Sequence, residues 1–297
     1  KCLEEKSLED SAFILATKSF STTETLNSYE SVTNRNFLSN TFVVTSNIDE
    51  AKHYGISDEN IIPMDSSMGG RFSIWGPINL LFYLVHGEEK YKEFLKGAEN
   101  SDQLSLNADI NQNPSLTLSI QDVIMNNICG IESTLVVNYD WKLRNFYQYV
   151  QQVEMESTGK SVDQNGKDLD YETGMIVWGG FGPRSQHSFF QQVYQGTKNY
   201  NLYFIVTRSD QLNYKQFLGQ SKSLKEGNDG ESNTNKKVSR RSFTTIELNS
   251  LTPEAIGELM AMWENKVLFN SFFWNINPFD QWGVELGKTN TKSELDK

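Results

Sequence analysis

The chain has 297 residues, 37% of them hydrophobic and 12% aromatic, with a formal net charge of −11. Such a composition describes a globular protein with one large or two ordinary cores, and its acidity argues against nucleic acid and anionic membranes as partners. No apolar run reaches the ~18 residues of a membrane span; the nearest, "INLLFYLVHG" at 78–87, suits a core helix.

The opening "KCLEEKSLED" sets Cys2, Leu3 and Leu8 among charges, as in the last turns of an amphipathic helix. The polar end "TNTKSELDK" reads as the start of another helix, so both ends look cut and a fragment is expected. Cys2 and Cys129 show neither zinc nor redox-pair spacing and fit a reducing, cytoplasmic compartment.

Three short β-branched runs come early: "AFILAT" (12–17), "TFVVTS" (41–46) and "NIIPMD" (60–65). Residues 22–34 and 48–53 between them predict helices, and this alternation predicts a parallel sheet covered on both faces. Residues 75–98 read as a connecting helix. The pattern then resumes with a helix at 115–129 and the strand "STLVVNY" (133–139). Leu143, Phe146, Tyr147 and Val150 follow at helical spacing. Strand "GMIVWG" (174–179), a helix from about Ser185 to Gln195, and strands "YNLYFIVT" (200–207) and "SFTTIEL" (242–248) complete the second sheet. Thr252-Pro253-Glu254 opens a helix with an N-cap hydroxyl, a first-turn proline and an acid at the positive dipole end. The polar stretch 219–241 has little to bury and is expected to be a mobile surface loop, its basic cluster solvated.

"TKSFSTTET" (17–25) follows the first strand directly, and six of its nine residues carry hydroxyls. Ligands bind parallel α/β sheets at strand carboxyl ends, where open helix N–H groups seat anions. Ser21 and Glu24 have capping-box spacing, so the helix is expected to begin at Thr22. Capping accounts for Ser21 but not for Thr17, Lys18, Ser19 and Thr22 around one turn, which favours a phosphate seat. No "GxxxxGK[ST]" is present, which excludes a nucleotide P-loop.

Four later stretches, "GGRFS" (69–73), "QQVEMESTGKSV" (151–162), "QHSFFQQVYQGTK" (186–198) and "INPFDQWGVELGK" (276–288), follow in order. Together with the hydroxyl-rich stretch, they make the chain resemble the glucose-6-phosphate isomerase (phosphoglucose isomerase) family from Phe13 to Lys288. The resemblance implies an α/β fold of two SIS-type three-layer αβα domains with mainly parallel sheets, sharing an active site, the first domain incomplete. Residues 1–74 would be the end of the first domain, 75–114 a helical connection, 115–288 the second domain and 289–297 a truncated tail. It implies interconversion of glucose 6-phosphate and fructose 6-phosphate through ring opening and a cis-enediol, with no metal or cofactor.

Residue by residue, Thr17, Lys18, Ser19 and Thr22 match the phosphate cup, and Arg71 the group that stabilises the enediolate. Gly69 and Gly70 would let the backbone approach the sugar. Spacing alone does not choose between Glu154 and Glu156; the "MES" match selects Glu156 as the base that moves the C1–C2 proton. Gln152 and Gln281 match substrate-binding residues. His187 matches the ring-opening histidine, contributed across a homodimer interface, and Lys288 the lysine that assists it; His53 and His86 read as structural or solvated. Thr17, Ser19, Arg184 and the "IWGPINL" after Arg71 depart from the usual pattern. The family's chain has a further N-terminal segment completing the phosphate site, so a cleavage product with little activity of its own is expected. Competing expectations are a non-catalytic SIS sugar-phosphate sensor and an isomerase for another sugar phosphate.

Overall fold

A computed structural model describes residues 7–231 and 233–295. Cys2 and Leu3, read above as helical, lie outside the described residues, and Leu8 starts a single 3₁₀ turn, Leu8–Asp10. The chain forms two compact units, residues 1–92 and 93–297.

The first unit is built on three parallel strands in the order β1 (Phe13–Ala16), β2 (Thr41–Thr45) and β3 (Ile61–Pro63). Helices α1 (Thr23–Thr33) and α2 (Ile48–Tyr54) are the crossovers. Leu15, Val43, Phe20, Tyr29, Ala51 and Ile56 form its core. The expected capping box is absent: α1 is capped at Thr22, whose side chain makes no capping bond. The cause is Phe20, which adopts a left-handed backbone (φ +52°) to place its ring in the core, 2% exposed. That conformation costs about 1–2 kcal/mol, and burying the ring returns about 2–3 kcal/mol, so burial wins. Ser21 then faces Ser19, their hydroxyls 2.7 Å apart, instead of the helix.

After β3, short 3₁₀ turns at Gly70–Trp75 and Pro77–Asn79 lead into α3 (Leu80–Ser105). The helix expected from 75 thus starts later and runs further, and Gly87 (φ +82°) breaks it.

The second unit carries four parallel strands in the order β5 (Ile176–Phe181), β4 (Ser133–Asn138), β6 (Asn201–Thr207) and β7 (Thr244–Leu248). Helices α4 (Pro114–Val123), α5 (Phe146–Thr158) and α9 (Pro253–Phe273) pack together on one face. A π-helical turn, Ile124–Ile128, extends α4 over most of the expected helix. On the other face lie α7 (Phe190–Gln195) and α8 (Gln211–Glu226). Phe190, Val193, Phe217 and Leu224 from these helices cover Leu135, Val137, Leu202, Phe204 and Val206. Thr252 caps α9 as expected, its hydroxyl accepting from Ala255 N at 3.1 Å.

Three expectations need correction here. The helix expected from Ser185 to Gln195 is two pieces, α6 (Gly182–Ser185) and α7, with His187 in the link. Leu143 belongs to a 3₁₀ turn, Trp141–Leu143, ahead of α5. About a third of the expected mobile loop is helix, because α8 continues to Glu226 with Leu224 fully buried. Nor is all of its basic cluster solvated. The Arg241 guanidinium donates to the carbonyls of Val193, Lys198 and Gly196, and stacks 4.9 Å over Tyr200. The last element among the described residues is α10 (Glu285–Leu295). No helix among the described residues is long and apolar enough to cross a membrane.

Candidate active site

In the first unit, the carboxyl edge of the sheet gathers the residues predicted for anion binding. Thr17 continues β1 by donating its N–H to Val44 O (3.0 Å), and its hydroxyl meets that of Thr22 at 3.0 Å. The Lys18 carbonyl accepts from Ser46 N (2.9 Å), Ser46 Oγ (2.8 Å) and Thr45 Oγ1 (2.9 Å), and Asn47 Nδ2 donates to Ser19 O at 3.1 Å. The loop after β2 therefore holds the loop after β1 by its carbonyls. With Thr22 making no capping bond, the first N–H groups of α1 remain open at that edge.

Past β3 the same edge carries Asp65, whose carboxylate accepts from Ser67 N (2.8 Å) and Ser67 Oγ (2.7 Å). These bonds, with the nearby Lys18 charge, hold its pKa below the usual carboxylate range. Gly69, Gly70 and Arg71 follow. Arg71 is 4% exposed, with its guanidinium 5.4 Å over the Phe72 ring. A methyl group added at Gly70 would meet no atom within 4 Å, so the glycine leaves open space there.

In the second unit, α5 runs from the carboxyl end of β4 back to the amino end of β5. Gln151 Nε2 donates to Val177 O (2.8 Å), and Val177 N to Met155 Sδ (3.5 Å), which fixes that end of the helix. One turn separates Gln152 from Glu156, and their side chains meet at 3.4 Å. Glu156 lines a cavity of about 410 Å³ together with Lys160, Asn277, Asp280, Gln281 and Trp282. Glu156 and Gln281, 125 positions apart (281 − 156), thus share one cavity.

Glu154 does something else. It is 3% exposed, accepts from Trp263 Nε1 at 2.5 Å, and pairs with Lys266 Nζ at 2.5 Å. Lys266 is fully buried and also pairs with Asp122 at 2.5 Å. Asp122 accepts in addition from Asn201 (2.8 Å), Tyr203 (2.8 Å) and Asn270 (3.0 Å). Burial, aided by Asp122, raises the Glu154 pKa above the ordinary range against the pull of Lys266. This network ties α4, α5 and α9 together and faces away from the cavity.

His187 is exposed in the link between α6 and α7, beyond the carboxyl end of β5. Gln186 anchors that link by accepting from Gln216 (2.7 Å) and Gln220 (2.9 Å). Glu156 lies at the amino end of the same six-residue strand, so the two are separated by on the order of 20 Å of sheet. Lys288 is exposed on α10, paired with Glu285 at 2.8 Å. Lys160 and Asp280 escaped the sequence reading, although Lys160 stands in the quoted "MESTGK" and Asp280 in "FDQWG".

Two parallel sheets flanked by helices, with polar loops at strand ends, define an α/β protein of the SIS type. A family model described as phosphoglucose isomerase matches residues 1–297. The chain is 35% identical over 317 residues to a glucose-6-phosphate isomerase of Wigglesworthia glossinidia brevipalpis, covering 96% of this chain and 58% of that relative. It is 33% identical over 326 residues to one of Shewanella woodyi, covering 97% and 60%. The crystal structure of a glucose-6-phosphate isomerase from Chlamydia trachomatis superimposes with a TM-score of 0.89 at 29% identity, covering 99% of this chain and 61% of that one. The chain belongs to the phosphoglucose isomerase family. It spans about three fifths of the length of the curated relatives it matches.

Proposed function

We propose that the chain acts in the reversible isomerisation of glucose 6-phosphate and fructose 6-phosphate. The observation that carries this reading is the single cavity lined by Glu156 and Gln281 in a member of this family. Glu156 removes the proton from C2 of the open-chain aldose and returns it to C1, passing through a cis-enediolate. Gln152, in contact with Glu156, holds a sugar hydroxyl.

Thr17, Lys18, Ser19 and Thr22 grip the phosphate, aided by the open N–H groups of α1. Arg71 balances the negative charge of the enediolate; a fixed donor of that kind is worth about 3–4 kcal/mol where water is excluded. The open space at Gly70 supports a sugar approaching the backbone there.

His187 opens the sugar ring from a second copy of the chain, a reading supported by its lying at the opposite edge of the sheet from its own Glu156. Lys288 assists. Its exposed pairing with Glu285 is worth only about 0.2–0.5 kcal/mol and yields readily to a substrate oxygen. The active form is then a homodimer with a sugar phosphate as its substrate. A cytoplasmic location is proposed with it, on the two cysteines that lack zinc or redox-pair spacing.

The test is incubation of the protein with fructose 6-phosphate in heavy water. Deuterium is expected at C2 of the glucose 6-phosphate formed, and Glu156→Gln should abolish its appearance while sugar-phosphate binding persists. Continued exchange in that variant would refute the reading.

A further inference from the structure

Lys160 lies just past the C-cap of α5, and its side chain is only 12% exposed. A lysine near a helix C-terminus ordinarily donates to one of the last carbonyls and otherwise keeps its ammonium in water. Here the side chain is mostly withdrawn from water, and the ammonium has three oxygen neighbours, two hydrogen-bonded and one in an ion pair. One is the main-chain carbonyl of Glu156 at 2.9 Å. The other two belong to Asp280, its carbonyl at 2.5 Å and its carboxylate at 2.8 Å. The main chain of Lys160 is held as well, its carbonyl accepting from Thr173 Oγ1 at 2.8 Å. A single nitrogen therefore joins the turn that carries Glu156 to the residue immediately before Gln281. Both walls of the cavity meet at this point.

We propose that Lys160 is a positioning residue for proton transfer, fixing Glu156 relative to the segment that carries Gln281. The inference rests on the reading of Glu156 as the base. While the enediolate exists, the abstracted proton sits on the Glu156 carboxyl and has two fates. It is delivered to the neighbouring carbon, or it is exchanged with solvent. Delivery needs the carboxyl oxygen within reach of both carbons and the cavity wall closed. Freeing the Glu156 turn and the 276–284 segment slows delivery and admits water. The share of turnovers that exchange then rises while the overall rate falls.

The experiment compares wild type, Lys160→Met, Lys160→Arg and Asp280→Asn, with Glu156→Gln as the control. Activity is measured together with the ratio of deuterium incorporation to proton transfer in heavy water. Lys160→Met is expected to lower kcat by about tenfold to a hundredfold, as a misplacement of about 1 Å does, with a smaller change in KM and a higher exchange ratio. Lys160→Arg, which keeps the charge, should recover part of both. Asp280→Asn, which retains the carbonyl partner, should show the same signature more weakly and guards against a Lys160 variant that folds poorly. A role in stability alone would reduce the active fraction and leave the ratio untouched, which would overturn the inference. Wild-type kcat in Lys160→Met would overturn it too. If Glu156→Gln itself remained active, the base reading would fall and this inference with it. An inactive Glu156→Gln beside a fully active Lys160→Met would sink the positioning role alone.

Discussion

Lys266 is the position at which a single change should do the most damage without touching the cavity. Its ammonium is fully buried between Asp122 and Glu154, each 2.5 Å away. Lys266→Met keeps the length and the apolar stem but leaves two carboxyl groups facing each other out of water. Breaking a buried pair by removing one partner costs about 3–5 kcal/mol. Proton uptake limits this loss, because burial and Asp122 already push the Glu154 pKa upward, and Lys266 is the main force opposing them. In the variant Glu154 stays protonated when folded and ionises on unfolding.

A carboxyl whose folded pKa lies above its unfolded value contributes stability at low pH and loses it as pH rises through the folded pKa. The variant should therefore lose about 3 kcal/mol at pH 7. The deficit should shrink towards pH 5 with a slope approaching ~1.4 kcal/mol per pH unit. Urea denaturation followed by the fluorescence of buried Trp263, at pH 5, 6, 7 and 8, measures both quantities. A variant within about 1 kcal/mol of wild type at pH 7, with a parallel pH curve, would refute the reasoning.

The close approach of α3 and α9 gives a second prediction. A methyl group at Gly257 would lie 2.0 Å from Phe94 O, and one at Gly97 would lie 1.9 Å from Glu254 O. Gly257→Ala should cost about 2–3 kcal/mol, read as a lower urea midpoint at unchanged slope. At the carboxyl end of β7, the bond from Arg208 holds the Glu247 carboxyl below its ordinary 4.5. A depressed folded pKa adds stability above about 4.5 that disappears as pH falls through the folded value. Melting temperatures of wild type and Arg208→Met should accordingly differ at pH 6 and converge towards pH 3. Tyr54, partly buried and bonded to Glu30 at 2.7 Å, has its phenol pushed up to about 12, so absorbance titration should leave it neutral at pH 11.

The strands were legible because their hydrophobicity is continuous: "STLVVN" and "NLYFIVT" are buried on both faces of a parallel sheet, and "FILA" and "TFVVT" share the pattern although Ala16 and Phe42 are exposed. What escaped depended on long-range packing. The second half of α8, "QSKSLKE", exposes most of its side chains, and only the fit of Gln220, Ser221 and Leu224 against the sheet makes it a helix. The Ser21 capping box failed because Phe20 found a place in the core, which no local pattern announces. Lys160 was visible as a letter, but its partner Asp280 lies 120 positions away and becomes its neighbour only when α9 returns along the sheet.

Glu154 and Glu156 show where local spacing stops and folding decides. Two residues apart on a helix, they point to nearly opposite sides, and either side could have held a base. Folding assigns the Glu154 side to the interior, where Trp263 and Lys266 both donate to its Oε1. Glu156 is left to the cavity, one turn from Gln152 and across from Gln281. The two carboxyls should therefore separate stability from chemistry. Glu154→Ala removes a buried group and strands the Trp263 N–H, which should cost about 3 kcal/mol while leaving proton exchange per folded molecule intact. Glu156→Ala should change stability by no more than about 0.5 kcal/mol and eliminate exchange. Urea titration and heavy-water incorporation on the same two preparations measure both quantities. If Glu154→Ala lost exchange while remaining folded, the interior carboxyl would be part of the chemistry, and the division of labour between the two faces of α5 would be wrong.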